Sequence, residues 1–329
     1  MTSTPLKPRI DVAVAVVFNT DGLVLWGCRP EGKPYAGYWE FPGGKVELHE
    51  TVWQALVREL KEELDITALE GAPWFRIEHD YEHANVRLHL YRVWQFEGTP
   101  KSLEQQPFTW AGLDGANLSP ILPATAPLLP KLAQPEVMAL SNYEAGFEAC
   151  SRRLEQGLHR VTMPVYVQFR EKGLRGDALI RAFEHCYGLC QKTGQTMLLN
   201  SDSWLNLRDH LDALPCPLHL TQNHLLSGQF QDLQCAGASV HDVDSLTLAS
   251  DRGLSYAVLG AVKQTISHPG RSGLGWARFL ELAQCSRLPV FAIGGLAWDD
   301  VQDARLHGAH GVAMLSQFAA GLTLPNQKP

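Results

Sequence analysis

The apolar residues of the first 130 positions form short runs and one helical stripe. Residues 10–18 are almost continuously apolar, which predicts a strand buried on both faces. Aliphatic residues then recur at every fourth position: Val52, Leu56, Leu60 and Leu64. This periodicity predicts a helix with one buried stripe. Further strands are predicted at residues 23–26, 74–79 and 86–96. The simplest assembly is an α/β/α sandwich with the helix packed on a mixed sheet.

After a proline-rich stretch the pattern changes. Five prolines fall within sixteen residues: Pro120, Pro123, Pro127, Pro130 and Pro135. This spacing excludes a long helix, so we predict one domain at residues 1–133 and a second at 134–329. Eight short apolar runs follow, each with a candidate helix after it: 137–140, 165–169, 196–199, 217–220, 238–240, 256–259, 290–293 and 311–315. That alternation predicts a compact C-terminal (β/α)8 TIM-like barrel.

Composition and charge narrow the class of protein. The chain has 329 residues, of which 45% are hydrophobic and 19% charged, which is typical of globular domains. A net charge of -7 argues against binding to a nucleic acid polymer. Seven scattered cysteines indicate free thiols in a reducing compartment. The sequence shows neither a secretory h-region nor a run that could span a bilayer, so we expect a cytoplasmic protein without a membrane partner. It leaves the oligomeric state open.

Three acids near the end of the predicted helix are the main candidate for chemistry. Glu59, Glu62 and Glu63 stand at positions i, i+3 and i+4, so their side chains are expected to converge. The alternative is a solvated acidic helix face. Oxygen ligands in such a cluster suit Mg2+ or Mn2+. The preceding Gly43-Gly44 pair can take backbone angles that expose a carbonyl to a ligand. Thr51 and Gln54 predict a capping box at the start of the helix.

The acids belong to a longer pattern of fixed spacing. Its members are Gly44, Glu50, Arg58, Glu59, Leu60, Glu62, Glu63 and Ile66. This spacing resembles the Nudix box, except that Asp65 stands where that family has glycine. Aspartate tolerates a left-handed helix end better than most residues, so we expect a small cost. Flanking residues narrow the resemblance to the MutT branch over about residues 8–133: Arg29, residues 39–47, Gln106-Pro107, Trp110 and Pro123-Ala124.

This resemblance implies an activity and roles for individual residues. Members of the branch remove pyrophosphate from nucleoside triphosphates, including 8-oxo-dGTP, which serves nucleotide-pool sanitation and DNA repair. The implied ligands of Mg2+ or Mn2+ are the Gly43 carbonyl and the side chains of Glu59, Glu62 and Glu63. The implied catalytic residues are Glu59, Glu50 near the metal, and Arg58, which orients Glu59. Arg29 is implied to contact the nucleotide.

Two departures from the MutT pattern leave the base specificity open. Thr125 falls where the family has the asparagine that reads the oxidised purine. A threonine at this substrate-binding position has one hydroxyl and cannot make the paired contact of an amide. A further family glutamate falls on Thr109, and Glu104 is the nearest acid that can replace it.

Polar residues follow the predicted strands of the second half, where barrel enzymes place their chemistry. The predicted substrate-binding residues are Gln168, Arg170, Lys172, Asn200, Gly294, Gly295 and Ser316. Glycines after the seventh strand and amides after the eighth commonly hold phosphate in this fold. His219 ends the fourth predicted strand, and His241 follows the fifth. The alternatives are surface charge for Arg170 and Lys172, and a structural role for the two histidines.

Several phrases in this half resemble the thiamine phosphate synthase/TenI family. They are Val-Gln-Phe-Arg-Glu-Lys at 167–172, Ala-Ser-Val-His at 238–241, Leu-Pro-Val-Phe-Ala-Ile-Gly-Gly at 288–295 and Gly-Ala-His-Gly-Val-Ala at 308–313. The synthase aspartates that bind Mg2+ fall on Ser201 and His224, and a diphosphate-binding lysine falls on His268. Because Ser and His are poor Mg2+ ligands, the resemblance favours a thiazole tautomerase. In that branch His241 of Ser239-Val240-His241 is the implied acid-base catalyst.

Together these features predict a chain with two activities. The first half is expected to be a Mg2+-dependent nucleotide pyrophosphohydrolase acting on a nucleotide or diphosphate. The barrel is expected to bind a thiazole phosphate or a related small phosphate. Two alternatives stay open: a diphosphatase of thiamine metabolism, and a hydrolase whose barrel binds a ligand without turnover.

Overall fold

The computed structural model of the protein describes residues 8–81, 84–104, 106–264, 270 and 272–319. The described residues up to Gln134 form one compact unit, and those from Pro135 onward form a second. Each unit has hydrophobic clusters of its own. No helix in these ranges is long and apolar enough to cross a membrane.

The N-terminal unit contains seven strands and two α-helices in the described ranges. The strands are β1 (Arg9–Val17), β2 (Val24–Cys28), β3 (Trp39–Glu40), β4 (Gly43–Lys45), β5 (Thr67–Asp80), β6 (Asn85–Glu97) and β7 (Phe108–Ala111). The helices are α1 (Val52–Leu64) and the single turn α2 (Leu129–Leu132). One sheet has the order β4-β1-β6-β5, with β1 and β6 parallel, and the other has the order β3-β2-β7.

Helix α1 has the amphipathic character that its sequence predicts. Leu56, Leu60 and Leu64 are fully buried, and they pack with Ala13 and Ala15 of β1. At the start of the helix, the Thr51 hydroxyl accepts a hydrogen bond from the Gln54 backbone N–H, which completes the predicted capping box. The helix thereby lies on one face of a mixed sheet and carries its acids at the edge.

The strand predicted at residues 74–79 is wrong in extent, because β5 begins at Thr67. Its pairing with β6 shifts register between Ala68 and Glu70, between Glu70 and Gly71, and between Pro73 and Arg76. Such irregularities interrupt the alternation of apolar and polar residues. The first half of the strand therefore has no clear pattern in the sequence.

The C-terminal unit is a closed barrel of eight parallel strands, which confirms the predicted fold. The strands are β8 (Val137–Leu140), β9 (Tyr166–Phe169), β10 (Thr196–Asn200), β11 (Leu218–Leu220), β12 (Cys235–Val240), β13 (Tyr256–Gly260), β14 (Val290–Ile293) and β15 (Gly311–Met314). The helices between them are α3 (Phe147–Arg160), α4 (Gly176–Thr193), α5 (Ser201–Leu207), α6 (Gln222–Leu226), α7 (Val243–Asp251), α8 (Gly275–Ala283) and α9 (Val301–Leu306).

The interior of the barrel is a packed core. Its buried members are Met138, Leu140, Leu198, Tyr256, Val258, Phe291 and Ala313. A Cβ at Gly237 of β12 would lie 2.4 Å from the Tyr256 ring, so the absence of a side chain at Gly237 makes room for that ring. The polar residues that the sequence singles out lie at or after the carboxyl ends of β9, β10, β11, β12 and β15.

Candidate functional site

In the N-terminal unit, the two glycines of the Gly43-Gly44 pair allow a close approach between chain segments. Gly43 has φ 143°, and a Cβ there would lie 2.1 Å from the Ala13 carbonyl oxygen. A Cβ at Gly44 would lie 2.1 Å from the carboxyl carbon of Glu59. Only glycine therefore lets β4 lie against both β1 and the acidic face of α1.

Glu63 lies at the centre of the acids around this loop. Burial raises the pKa of Glu63 to about 7, and the carboxylates of Glu59, Glu40 and Glu104 add to that increase. The Gly43 N–H donates to Glu63 Oε2 at 3.4 Å, and this hydrogen bond lowers the pKa of Glu63. The carboxyl group of Glu63 is therefore held where a negative charge is costly unless a cation is present.

Arg58 connects the remaining acids of the pattern. Its guanidinium donates to Glu50 at 2.7 and 3.2 Å, to Glu59 at 2.9 Å and to Glu62 at 3.1 Å. It also donates to the Lys45 carbonyl at 3.0 Å. The ion pair with Arg58 lowers the pKa of Glu50. A single arginine thus fixes the orientation of Glu59 relative to the loop that carries Glu50.

The predicted metal ligands differ in their surroundings. Glu59 has a side-chain exposure of 17%, whereas Glu62 is 55% exposed and turns toward Arg58. Within the described ranges, no three His, Cys, Asp or Glu side chains are arranged as they stand to hold a metal ion. The chemistry of the donor set nevertheless fits a hard divalent cation: carboxylate oxygens lie near a backbone loop, and burial together with repulsion between the acids raises the pKa of Glu63.

Glu104 joins this cluster through a loop after β6. The Leu103 N–H donates to the Glu63 carbonyl at 3.0 Å, which places the loop on the end of α1. Glu104 accepts a hydrogen bond from Lys33 at 2.9 Å, and both Glu104 and Glu63 raise the pKa of that lysine. Thr109 lies instead within β7, paired with Trp26 of β2. The sequence indicated Glu104 as a replacement acid, but only the fold shows its approach to Glu63.

Arg29 is tied to a glutamate that the sequence reasoning missed. Its guanidinium donates to Glu40 Oε1 at 2.7 Å and to the Pro34 carbonyl at 2.8 Å. Burial raises the pKa of Glu40 although Arg29 opposes the shift. The rings of Tyr35 and Tyr81 lie 5.9 Å apart, and burial, followed by the charge of Glu40, raises the pKa of Tyr81. A charged pair therefore lies beside an exposed and a half-buried tyrosine ring, a combination that suits a nucleobase.

Thr125 is 4% exposed and stands just before the 3-10 helix Ala126–Leu128. Its side chain makes no capping hydrogen bond there. The structure thus places it in a packed position.

In the barrel, several predicted ligand residues gather at the carboxyl ends of β9 and β10. Gln168 is 3% exposed, and its amide donates to Met138 Sδ at 3.5 Å. Arg170 is half-buried, whereas Lys172 is exposed. Asn200 is 2% exposed and caps α5, where its Oδ1 accepts from the Asp202 N–H at 3.0 Å. Asn200 therefore has a structural role that the sequence reasoning did not foresee.

The predicted phosphate loops follow β14 and β15. Gly294 and Gly295 have φ values of 108° and 66°, and a Cβ at Gly294 would lie 2.4 Å from Cβ of Ala261. Both positions therefore need glycine. Ser316 begins a 3-10 helix, Ser316–Phe318, and its side chain lies outside the described part of the structure.

The histidines of the barrel have distinct environments. His241 is exposed, and its Nδ1 lies 3.1 Å from the Gly260 carbonyl oxygen. His224 Nδ1 lies 2.7 Å from Ser201 Oγ, which also accepts from the Thr221 N–H at 3.0 Å. Neither Ser201 nor His224 offers a carboxylate, so the pair by itself does not fit Mg2+. His268 lies outside the described residues.

Comparison with known proteins finds a matching protein family for each of the two units. The family described as "NUDIX domain" matches residues 7–132, and the family described as "Thiamine monophosphate synthase" (TMP-TENI) matches residues 144–318. A CTP pyrophosphohydrolase of Escherichia coli (strain K12) is 40% identical over 116 residues, which are 35% of this chain and 86% of that protein. An 8-oxo-dGTP diphosphatase of the same organism is 34% identical over 124 residues, 38% of this chain and 96% of that protein.

A further relative matches the barrel. It is a putative thiamine-phosphate synthase 2 of Aquifex aeolicus (strain VF5), 26% identical over 152 residues, which are 46% of this chain and 81% of that protein. The chain therefore belongs to the Nudix hydrolase family through its N-terminal unit and to the thiamine monophosphate synthase/TenI family through its barrel.

Proposed function

We propose that the N-terminal unit is a Mg2+-dependent nucleoside triphosphate pyrophosphohydrolase that acts on 8-oxo-dGTP and so removes oxidised nucleotide from the pool. The observation that carries the proposal is the position of Glu63, whose pKa is raised to about 7 by burial and by three neighbouring carboxylates. Such crowding costs stability in the absence of a cation. It is the electrostatic arrangement expected where a metal ion meets a phosphate chain.

The residues proposed to hold Mg2+ (or Mn2+) are the Gly43 carbonyl and the side chains of Glu59, Glu62 and Glu63. When bound, the cation supplies Lewis acidity for phosphoryl transfer. Arg58 holds Glu59 and Glu50 in fixed orientations through its hydrogen bonds. Glu104 approaches Glu63 and is proposed as the replacement for the acid that is missing at Thr109.

A substrate panel tests this proposal. The purified chain is offered 8-oxo-dGTP, ordinary nucleoside triphosphates and thiamine diphosphate with Mg2+, and pyrophosphate release is scored against phosphate release. We expect pyrophosphate from triphosphates and a loss of about a thousandfold in Glu59→Gln. Glu97→Gln serves as the control, because Glu97 is an exposed residue at the end of β6. Equal rates for Glu59→Gln and the parent would contradict the proposal.

A second candidate substrate is CTP. The 40% identity to a CTP pyrophosphohydrolase favours it, as does Thr125, which lacks the amide expected for reading an oxidised purine. Values of kcat/KM for CTP and 8-oxo-dGTP measured side by side decide between the two. Strong preference for a diphosphate such as thiamine diphosphate would instead place the hydrolase in thiamine metabolism.

We further propose that the barrel binds a thiazole phosphate without a metal ion and that His241 acts there as acid-base catalyst. The support is the hydrogen-bonded Ser201–His224 pair, which occupies the synthase metal positions, and the exposed ring of His241. Substrate-binding roles are proposed for Gln168, Arg170, Lys172, Asn200, Gly294, Gly295 and Ser316. Interconversion of thiazole tautomers in the presence of EDTA, abolished in His241→Ala, is the expected result. Binding without turnover would leave the barrel as a ligand-binding module.

A further inference from the structure

His219 lies inside the barrel with both ring nitrogens at hydrogen-bonding distance from hydroxyl groups. Its Nδ1 is 3.0 Å from Tyr256 Oη, and its Nε2 is 2.9 Å from Ser239 Oγ. The three residues lie on β11, β12 and β13, which are neighbouring strands. His219 is 1% exposed and Tyr256 is fully buried, whereas Ser239 is only half-buried. The network therefore runs from the closed core to a side chain that solvent or a ligand can reach.

The ring and the phenol are both uncharged near neutral pH. Burial lowers the pKa of His219 to about 3, and the charge of Arg170 acts in the same direction. Burial also raises the pKa of Tyr256 well above its ordinary value. The imidazole thus carries one proton, and Tyr256 keeps its hydroxyl hydrogen.

Two proton arrangements satisfy these distances, and they differ at Tyr256. In the first, Tyr256 donates to Nδ1, and the Nε2–H donates to Ser239 Oγ. In the second, Ser239 donates to Nε2 and Nδ1–H donates to Tyr256, which leaves the buried phenol hydrogen without an acceptor. Among the described residues, His219 is the one hydrogen-bond partner of the Tyr256 hydroxyl. The first arrangement is favoured because a buried donor without an acceptor is costly.

The first arrangement determines what Ser239 can do. Its oxygen already accepts a hydrogen bond from His219, so its own O–H is free to donate to another group. In the described part of the chain, Ser239 Oγ has no second hydrogen-bond partner. Ser239 lies two residues before His241, so both side chains emerge on the same face of the chain at the end of β12.

We propose that His219 and Tyr256 are positioning residues that hold Ser239 as a hydrogen-bond donor to an anionic ligand in the mouth of the barrel. The nearby charge of Arg170, which acts on His219, selects for an anion, and a phosphate monoester supplies the acceptor oxygens. The identity of that phosphate rests on the proposed function of the barrel, whereas the orientation of Ser239 does not.

Nuclear magnetic resonance of the full chain with 15N-labelled histidine tests the orientation directly. His219 is assigned from the resonance that disappears in His219→Gln. We expect the Nε2–H tautomer with no titration between about pH 5.5 and 9, since a histidine with an ordinary pKa titrates in this range. An Nδ1–H tautomer, or a ring that becomes charged near neutral pH, would overturn the proposal.

Binding of thiazole phosphate by calorimetry supplies the functional readout. Because His219→Leu alone leaves the Tyr256 hydroxyl unpaired, the paired variant His219→Leu/Tyr256→Phe is used, and its folding is checked by circular dichroism. We expect Ser239→Ala and the paired variant each to weaken binding by about tenfold, as for one lost hydrogen bond. Combining them should cost no more than Ser239→Ala alone, because the pair acts through Ser239. Additive losses would contradict this role.

Inorganic phosphate is the second probe. If the parent binds phosphate but not thiazole phosphate, the proposed ligand is wrong, and the same comparison of variants is made with phosphate. If the parent binds neither, the function proposed for the barrel fails, and the histidine tautomer still decides whether Ser239 is held as a donor.

Discussion

Glu63 lies beside Glu59, Glu40 and Glu104, and each of these carboxylates raises its pKa. The pKa is about 7 in the folded chain against 4.5 for an ordinary glutamate. The folded state therefore binds the proton more tightly, and the stability of the metal-free chain falls as pH rises from the lower value to the higher one. Glu63, which is suited to binding a cation, therefore lowers the stability of the folded chain when no metal ion is bound.

The first prediction follows from the raised pKa of Glu63 and its effect on stability. In EDTA, Glu63→Gln should be more stable than the parent at pH 8 by about 1 to 3 kcal/mol, and this gain should vanish near pH 4.5. Urea unfolding at several pH values measures it. The same variant should bind Mg2+ more weakly by calorimetry. An unfolding free energy that changes equally with pH in both proteins would contradict the prediction.

Arg58 is the second residue whose role depends on geometry rather than on charge alone. It donates to both oxygens of Glu50 and also to Glu59, and a lysine cannot reproduce this planar arrangement. We predict that Arg58→Lys and Arg58→Ala both lower kcat/KM for the preferred nucleotide by about 10- to 100-fold. Arg87→Lys is the control, because Arg87 pairs with Glu78 and Asp11 and with none of the acids of this pattern. Full activity in Arg58→Lys would show that charge alone suffices.

At the scale of secondary-structure elements, the end of α1 has the left-handed residue that the sequence predicted. Asp65 is the C-cap of the helix with φ 55° and ψ 27°, which confirms that aspartate takes the left-handed conformation there. Its ion pairs with Lys61 and Lys101 are at the surface and are expected to contribute little.

For Asp65→Ala we expect a loss of about 1 to 2 kcal/mol, because alanine has no polar side chain that offsets the left-handed backbone. Asp65→Gly should stay within about 0.5 kcal/mol of the parent, since glycine tolerates these angles but has a more flexible unfolded state. Urea unfolding of the two variants gives the comparison. Alanine and glycine variants of equal stability would show that the backbone angle at this position is not what limits the helix.

At the scale of the whole molecule, each unit has its own buried clusters. The N-terminal unit is built around β1 and α1, with Trp26, Trp74 and Leu60 fully or almost fully buried. The barrel has an inner cluster around Tyr256 and an outer one beneath its helices. Domains with separate cores can in principle fold alone.

We therefore predict that residues 1–134, produced without the barrel, fold cooperatively and hydrolyse the preferred nucleotide with kcat/KM within about threefold of the full chain. Circular dichroism and the pyrophosphate assay measure the two properties, and Glu59→Gln in the fragment is the inactive control. An unfolded or inactive fragment would mean that hydrolysis depends on the second unit.

The sequence by itself determined the features that arise from local spacing. The four-residue stripe and the Thr51-Gln54 pair specify α1, and the apolar runs mark all eight barrel strands. Both signals can be read locally, because the periodicity of a helix or a strand depends on residues that are close in the sequence. The Nudix spacing likewise marks the acids, since residues three and four apart share a helix face. The extent of β5 was missed because its bulges break the alternation.

The tertiary structure decided which distant residues meet. Glu104 reaches Glu63 only because the loop after β6 folds onto the end of α1, and Glu40 pairs with Arg29 only because β3 lies beside β2. His219, Ser239 and Tyr256 come together because β11, β12 and β13 pair side by side in the barrel. Such contacts depend on strand pairing and register over long separations in the chain, and no local pattern of hydrophobic and polar positions encodes them.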